Sequence, residues 1–141
     1  MSAQANVELV EAATERILTQ GARAMLDHYD EYFTEDFRWA PITAATVEGG
    51  EYLGREGFAR YMEDLETTFA GLNIEIPGIR ALGDDTVVVH LRMQARGTES
   101  GIPVDLDLYW VLRFQGPKIA SGMTFRTRED AIAAAESGAH A

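Results

Sequence analysis

Residues 86–126 read TVVVHLRMQARGTESGIPVDLDLYWVLRFQGPKIASGMTFR, and the fold turns on this stretch. Asp84-Asp85 opens it, Thr98-Glu99-Ser100-Gly101 turns it once, and Gln115-Gly116-Pro117-Lys118 turns it again. Between the turns lie three alternating apolar and polar runs, the pattern of strands joined by tight connections. A four-residue loop at the first turn pairs Val89 with Trp110, Leu91 with Leu108 and Met93 with Leu106 on one face. His90 then meets Tyr109, Arg92 meets Asp107 and Gln94 meets Asp105 on the other. A two-residue turn at Gly116-Pro117 sets Trp110 opposite Met123, Leu108 opposite Phe125 and Asp107 opposite Arg126. Slipping either hairpin by one residue would drive Asp107 into the apolar face, so the pattern specifies its own register. A bulge in such a curved sheet shifts pairs locally.

The two faces differ in chemistry. Val89, Leu91, Met93, Leu106, Leu108, Trp110, Met123 and Phe125 form an apolar face that must be covered. It either packs solid against helices or leaves a pocket lined by aromatic and methionine side chains. On the charged face Asp107 stands between Arg92 and Arg126. That arrangement reads as a surface ion-pair ladder or as a sheet-to-sheet dimer interface. As a catalytic base Asp107 is poorly placed, because two flanking cations favour its ionised form. His90, beside Tyr109, reads as structural or as one half of an acid/base pair. His90, Arg92 and Asp107 are the one convergent polar set and so the candidates for catalysis.

Cover for the apolar face lies upstream. Val7, Val10, Thr14 and Ile17 recur at helical spacing, predicting a helix over about 6–20 with Asn6 as N-cap and Gly21 as its end. A shorter helix carries Met25, Leu26, Tyr29, Tyr32 and Phe33 along one side. Residues 37–42 form a short strand ended by Pro41. The segment 43–53 has no clear period. Gly54-Arg55-Glu56-Gly57 leads into a helix with Phe58, Tyr61, Met62, Leu65 and Phe69 on one stripe, stopped by Gly71. Leu72, Ile74 and Ile76 alternate in a further strand reaching Pro77-Gly78. Thr127 caps a last short helix. The order predicts one α+β domain over 1–141, with 137–141 a disordered tail.

Composition removes whole function classes. At 141 residues the chain can bury one core. A net charge of −11 speaks against nucleic acid and against anionic membranes, both of which call for clustered Lys and Arg. There are no cysteines, which excludes disulfides, thiolate catalysis and cysteine-based metal sites and fits a reducing, cytoplasmic setting. His28, His90 and His140 are too scattered for a zinc site. The N-terminal residues carry no signal-peptide pattern, and no run approaches the roughly 18 apolar residues of a membrane span.

Several segments together resemble the SnoaL-like branch of the NTF2-like superfamily, which includes ketosteroid isomerases, limonene epoxide hydrolases and polyketide cyclases. They are Asn6-Val7-Glu8-Leu9-Val10, Phe37-Arg38-Trp39-Ala40-Pro41, the run from Glu48 to Gly57, Trp110-Val111-Leu112-Arg113-Phe114, and Arg128-Glu129-Asp130-Ala131-Ile132. The resemblance implies a cone: a curved mixed sheet wrapped around about three helices, an apolar pocket at the wide end, a short C-terminal helix, and homodimers formed through the sheet. Catalytic residues do not carry over. Thr14, Ala40 or Pro41, and Trp110 stand where ketosteroid isomerases keep their catalytic groups. Arg92-Met93-Gln94 with Asp105 or Asp107 is the nearest match to the epoxide hydrolase set, and there Gln94 replaces an acid. The expectation is a protein that binds a small apolar, polyketide- or terpenoid-like ligand without a cofactor or metal. Its pocket would be lined by Tyr29, Trp39, Tyr61, Met93, Trp110, Met123 and Phe125. The alternatives are a proton-transfer enzyme of the isomerase, hydrolase or cyclase type, and a non-catalytic dimerisation module. Tyr29, Tyr61 and the loop acid Glu48 could bring ionisable groups to the pocket from the helical side.

Overall fold

The computed structural model describes residues 2–41 and 51–137; Glu48, His140 and most of the 43–53 segment lie outside them. One six-stranded mixed sheet organises the chain. Its strands are β1 (Phe33–Ala40), β2 (Tyr52–Leu53), β3 (Phe69–Ala81), β4 (Thr86–Gly97), β5 (Pro103–Gln115) and β6 (Lys118–Phe125), in the order β2-β1-β6-β5-β4-β3. All neighbours are antiparallel except β1 and β6, which run parallel. Helices α1 (Ala3–Gln20), α2 (Ala24–Asp27), α3 (Tyr29–Tyr32) and α4 (Gly54–Thr68) precede the meander, and α5 (Arg128–Ser137) follows it. This is the α+β cone expected from the sequence.

The β4–β5 hairpin has the expected register throughout, from Thr86 opposite Arg113 to Arg96 opposite Pro103. The β5–β6 hairpin keeps its expected register only next to the turn, where Gln115 faces Lys118 and Phe114 faces Ile119. A bulge follows, and Arg113 pairs with Ser121, Trp110 with Thr124 and Tyr109 with Phe125. Because side chains alternate, that one residue exchanges the two faces of β6. Gly122 and Thr124 turn inward, and Met123 and Phe125 turn outward.

The outer face is consequently not polar along its whole length. Val88, Val111 and Ala131 are buried there, with Tyr109, Phe125 and Leu82 packed against them under α5. Arg113 fastens that helix. Arg113 is 6% exposed, and its guanidinium donates to Thr86 Oγ1 at 3.0 Å and to the carbonyls of Ala134 and Ala135 at 3.0 and 3.3 Å. A cation on the last carbonyls of a helix also opposes the negative end of its dipole. Thr127 caps the other end as expected, its Oγ1 accepting from Asp130 N.

Three local expectations are corrected. Ser2, not Asn6, caps α1, accepting from Ala5 N at 3.1 Å. Asn6 is 2% exposed and donates its amide to Asp84 O at 2.7 Å, tying α1 to the turn before β4. Phe33 opens β1 rather than closing a helix, and α2 and α3 are single turns. Helix α4 ends at Thr68, so Phe69 is already extended and Gly71, at φ 63°, lies within a bulge of β3. A residue at that left-handed angle fits a bulge as well as it fits a helix end.

Candidate functional site

The inner face of the sheet and the helices over it enclose the main core, which is unusually aromatic. Phe33 and Phe37 approach to 4.4 Å between ring centroids, and Phe58 lies 5.3 Å from the former and 6.1 Å from the latter. Trp39 continues this cluster. It meets Tyr61 and Trp110 edge to face, each at 5.6 Å. Large flat rings at fixed angles do not fill space completely, and two chambers remain.

The first, of about 80 Å³, lies between α1, α4 and the sheet; its walls include Val10, Ala13, Thr14, Phe37, Trp39, Phe58 and Leu112. The second, of about 70 Å³, lies further along β4 and β5 beneath Leu91, Met93, Leu106 and Leu108, with Pro41 and Thr124 at one side. Tyr61, Leu65, Ile74 and Trp110 belong to both and form the partition. No carboxylate, imidazole, guanidinium or ammonium group is among the described residues lining either chamber. Nor do the described residues hold any group of three or more acidic or histidine side chains placed for a metal ion.

Of the pocket residues expected from the sequence, Trp39, Tyr61 and Trp110 line the first chamber, and Met93, Tyr61 and Trp110 line the second. Tyr29 is 1% exposed but sits behind the wall, against Phe33 and Phe58, with its hydroxyl donating to Thr34 O at 2.8 Å. Met123 and Phe125 lie on the outer side of the sheet through the β6 bulge. The sequence reading missed Phe37, Phe58, Val10 and Ala13 as wall residues, although their helical and strand spacing placed them on the buried faces.

The charged candidates all face outward. Asp107 accepts from His90 Nε2 at 2.9 Å, and the His90 ring stacks on Tyr109 at 4.6 Å. Arg92 does not join Asp107. Its guanidinium binds Asp105 through two bonds of 3.0 Å, which hold the Asp105 carboxyl below its ordinary range. Gln94 accepts from Asn73. The expected Arg92–Asp107–Arg126 ladder is thus replaced by a diagonal pair and a histidine–aspartate pair, remote from the cavity.

A family model described as the SnoaL-like domain matches residues 12–122. The chain belongs to this SnoaL-like family. No curated protein matches it, but solved structures of the same fold are numerous. An NTF2-like protein of unknown function from Burkholderia pseudomallei is 18% identical, with 94% of this chain and 97% of that one covered at a TM-score of 0.72. A protein with a ketosteroid isomerase-like fold from Catenulispora acidiphila, in complex with trimethylamine, is 17% identical over 94% and 93% at a TM-score of 0.66. TerC, co-crystallized with polyporic acid, is 16% identical over 94% and 98% at a TM-score of 0.70. At these identities the likeness is one of fold.

Of the positions that the resemblance matched to ketosteroid isomerase catalytic groups, Thr14, Pro41 and Trp110 fall on the chamber walls without supplying chemistry, and Ala40 lines neither chamber. Thr14 donates its hydroxyl to Glu11 O at 3.1 Å, and Pro41 and Trp110 offer no acid or base. Tyr61 is the one titratable group among the described residues lining the walls. Burial pushes its phenol well above the ordinary value, opposed by the approaching indole N–H of Trp39, so it stays a neutral donor.

Gly122 fixes where Trp39 lies. A Cβ there would come within 2.6 Å of Trp39 Cε3 and Cζ3 and 3.1 Å of Leu112 Cδ2. Gly122→Ala should therefore push the indole into the first chamber and cost about 1–3 kcal/mol by overpacking. Urea denaturation reads the loss, and near-ultraviolet circular dichroism reads the displaced indole. An unchanged midpoint and spectrum would show that Trp39 can withdraw without cost.

Proposed function

We propose that this SnoaL-like protein binds a small, largely apolar molecule in the paired chambers and carries out no proton-transfer chemistry there. The observation behind this is the composition of the walls: the described lining residues are aromatic and aliphatic apart from Thr14 and Thr124, and the one ionisable group among them is a neutral phenol. Removing apolar ligand surface from water supplies the drive, at about 25 cal/mol per Å². Isomerase, epoxide hydrolase and cyclase chemistry would each need a base facing the cavity, and none of the described lining residues is one. That two proteins of the same fold were crystallised with small organic molecules, trimethylamine and polyporic acid, is in keeping with a binding role. Trp39, Tyr61, Trp110 and Met93 are the proposed contact residues. His90, Arg92 and Asp107, on the outer face, belong instead to a proposed homodimer surface, which sedimentation equilibrium would test by finding or excluding a dimer.

Titration with benzene tests the binding reading. Saturating benzene should raise the melting temperature, because a ligand that binds only the folded state adds about 2.7 kcal/mol at a hundredfold excess over Kd. Gly122→Ala should abolish the rise. A melting temperature indifferent to both benzene and acetophenone in the native sequence would dispose of the pocket.

A further inference from the structure

Nearly all buried polar atoms in folded proteins have a hydrogen-bond partner, and leaving one without costs about 1–3 kcal/mol. Here Trp39 Nε1 and Thr124 Oγ1 are buried and have none. A third such atom, Thr34 Oγ1, touches neither chamber. Tyr61, half-buried on the partition between the chambers, carries a further hydroxyl.

These groups are gathered, not scattered. Trp39 is 4% exposed and meets Tyr61 edge to face at 5.6 Å. Tyr61 forms part of the partition between the chambers. Thr124 lines the second chamber directly across from Trp110, the other large ring of that partition. An indole N–H can only donate, and phenol and threonine hydroxyls donate readily, so the missing partner is an acceptor. It cannot carry full charge, since an anion here would lose its hydration with no cation beside it. Size adds a further constraint. A dry cavity of about 150 Å³ admits benzene, whereas each chamber is roughly half that. An aromatic ring needs both.

Resting on the binding role proposed above, we infer that the ligand is an uncharged molecule with apolar parts in both chambers. Between them it presents one hydrogen-bond acceptor to Trp39 Nε1 and to the Tyr61 and Thr124 hydroxyls. Trp39, Tyr61 and Thr124 then set specificity: they select against hydrocarbons by their unmet hydrogen bonds and against anions by the absence of positive charge.

Acetophenone and α-methylstyrene have nearly the same shape, one ending in C=O and the other in C=CH₂. Both would be titrated, with benzoate as the anionic arm, into protein labelled with ¹⁵N-tryptophan. The chain has two tryptophans, and Trp110→Phe identifies the indole signal of Trp39. Acetophenone should bind about five- to tenfold more tightly than α-methylstyrene, the worth of one net hydrogen bond, and should shift the Trp39 N–H downfield. Tyr61→Phe and Thr124→Val should each shrink that preference. Equal affinity for the two neutral probes would overturn the acceptor inference and leave cavity binding standing. Benzoate binding as tightly as acetophenone would overturn the selection against charge. Failure of both neutral probes to bind would overturn the cavity reading and this inference with it.

Discussion

Phe37→Ala is expected to destabilise the protein by about 3–5 kcal/mol, in the upper range for a core substitution. Phe37 is 1% exposed and touches three other rings at once: Phe33 at 4.4 Å, Phe58 at 6.1 Å and Trp39 at 6.3 Å. Its loss removes transfer energy and those ring contacts together. The surrounding aromatics are themselves held from several sides, so they cannot collapse into the gap. The void would join the first chamber, whose wall Phe37 already forms. The variant should therefore be less stable yet bind benzene better, and saturating benzene should return part of the loss. Urea denaturation with and without benzene measures both quantities. A loss below about 1 kcal/mol would mean that the cluster relaxes freely, contrary to the rigid walls on which the binding reading depends.

Alkaline pH is the second large lever. Burial pushes the phenols of Tyr29 and Tyr52 up to about 12 from an ordinary 10, and pushes Tyr61 higher still. For Tyr52 the hydrogen bond to the Asp64 carboxylate adds to the effect of burial. Above the ordinary value the unfolded chain gives up these protons while the folded chain keeps them. Stability is therefore intact below pH 10 and falls as pH rises towards 12. At one pKa unit per 1.36 kcal/mol, Tyr29 and Tyr52, both almost fully buried, account for roughly 2 kcal/mol each at the top of that window. Tyr61 adds to the slope. Urea denaturation at stepped pH, with tyrosinate absorbance followed in parallel, should show ionisation of these phenols arriving together with unfolding. Constant stability across the window would mean that water reaches the rings in the folded state.

The first hairpin was legible in the sequence because two signals agree there, a four-residue turn and an uninterrupted alternation on both strands. The family followed from weak segments in the right order. Trp39, Tyr61 and Trp110 were legible as wall residues because each sits on an apolar face that had to be covered. Met123 and Phe125 were not, because nothing in Ile119-Ala120-Ser121-Gly122 announces a bulge. No proline stands there, and a glycine in a strand signals close packing as readily as an irregularity. Asn6 misled for a different reason. A residue type suited to capping also suits a buried bond to a distant carbonyl, and only tertiary structure separates the two. The unpaired donors at Trp39 and Thr124 could not be read from sequence at all, since whether a donor finds a partner depends on neighbours many residues away.

The β6 bulge has a consequence for how this protein can change. Ala120 is the residue left over between Phe114–Ile119 and Arg113–Ser121. Without it, the strand beyond would exchange faces in a single step. Methionine and phenylalanine would swing into the hollow, glycine and threonine would swing out, and the last helix would lose Phe125 from beneath it. A hollow protein and a filled one are thus separated by one codon's worth of chain, a shorter path than any series of side-chain replacements could take.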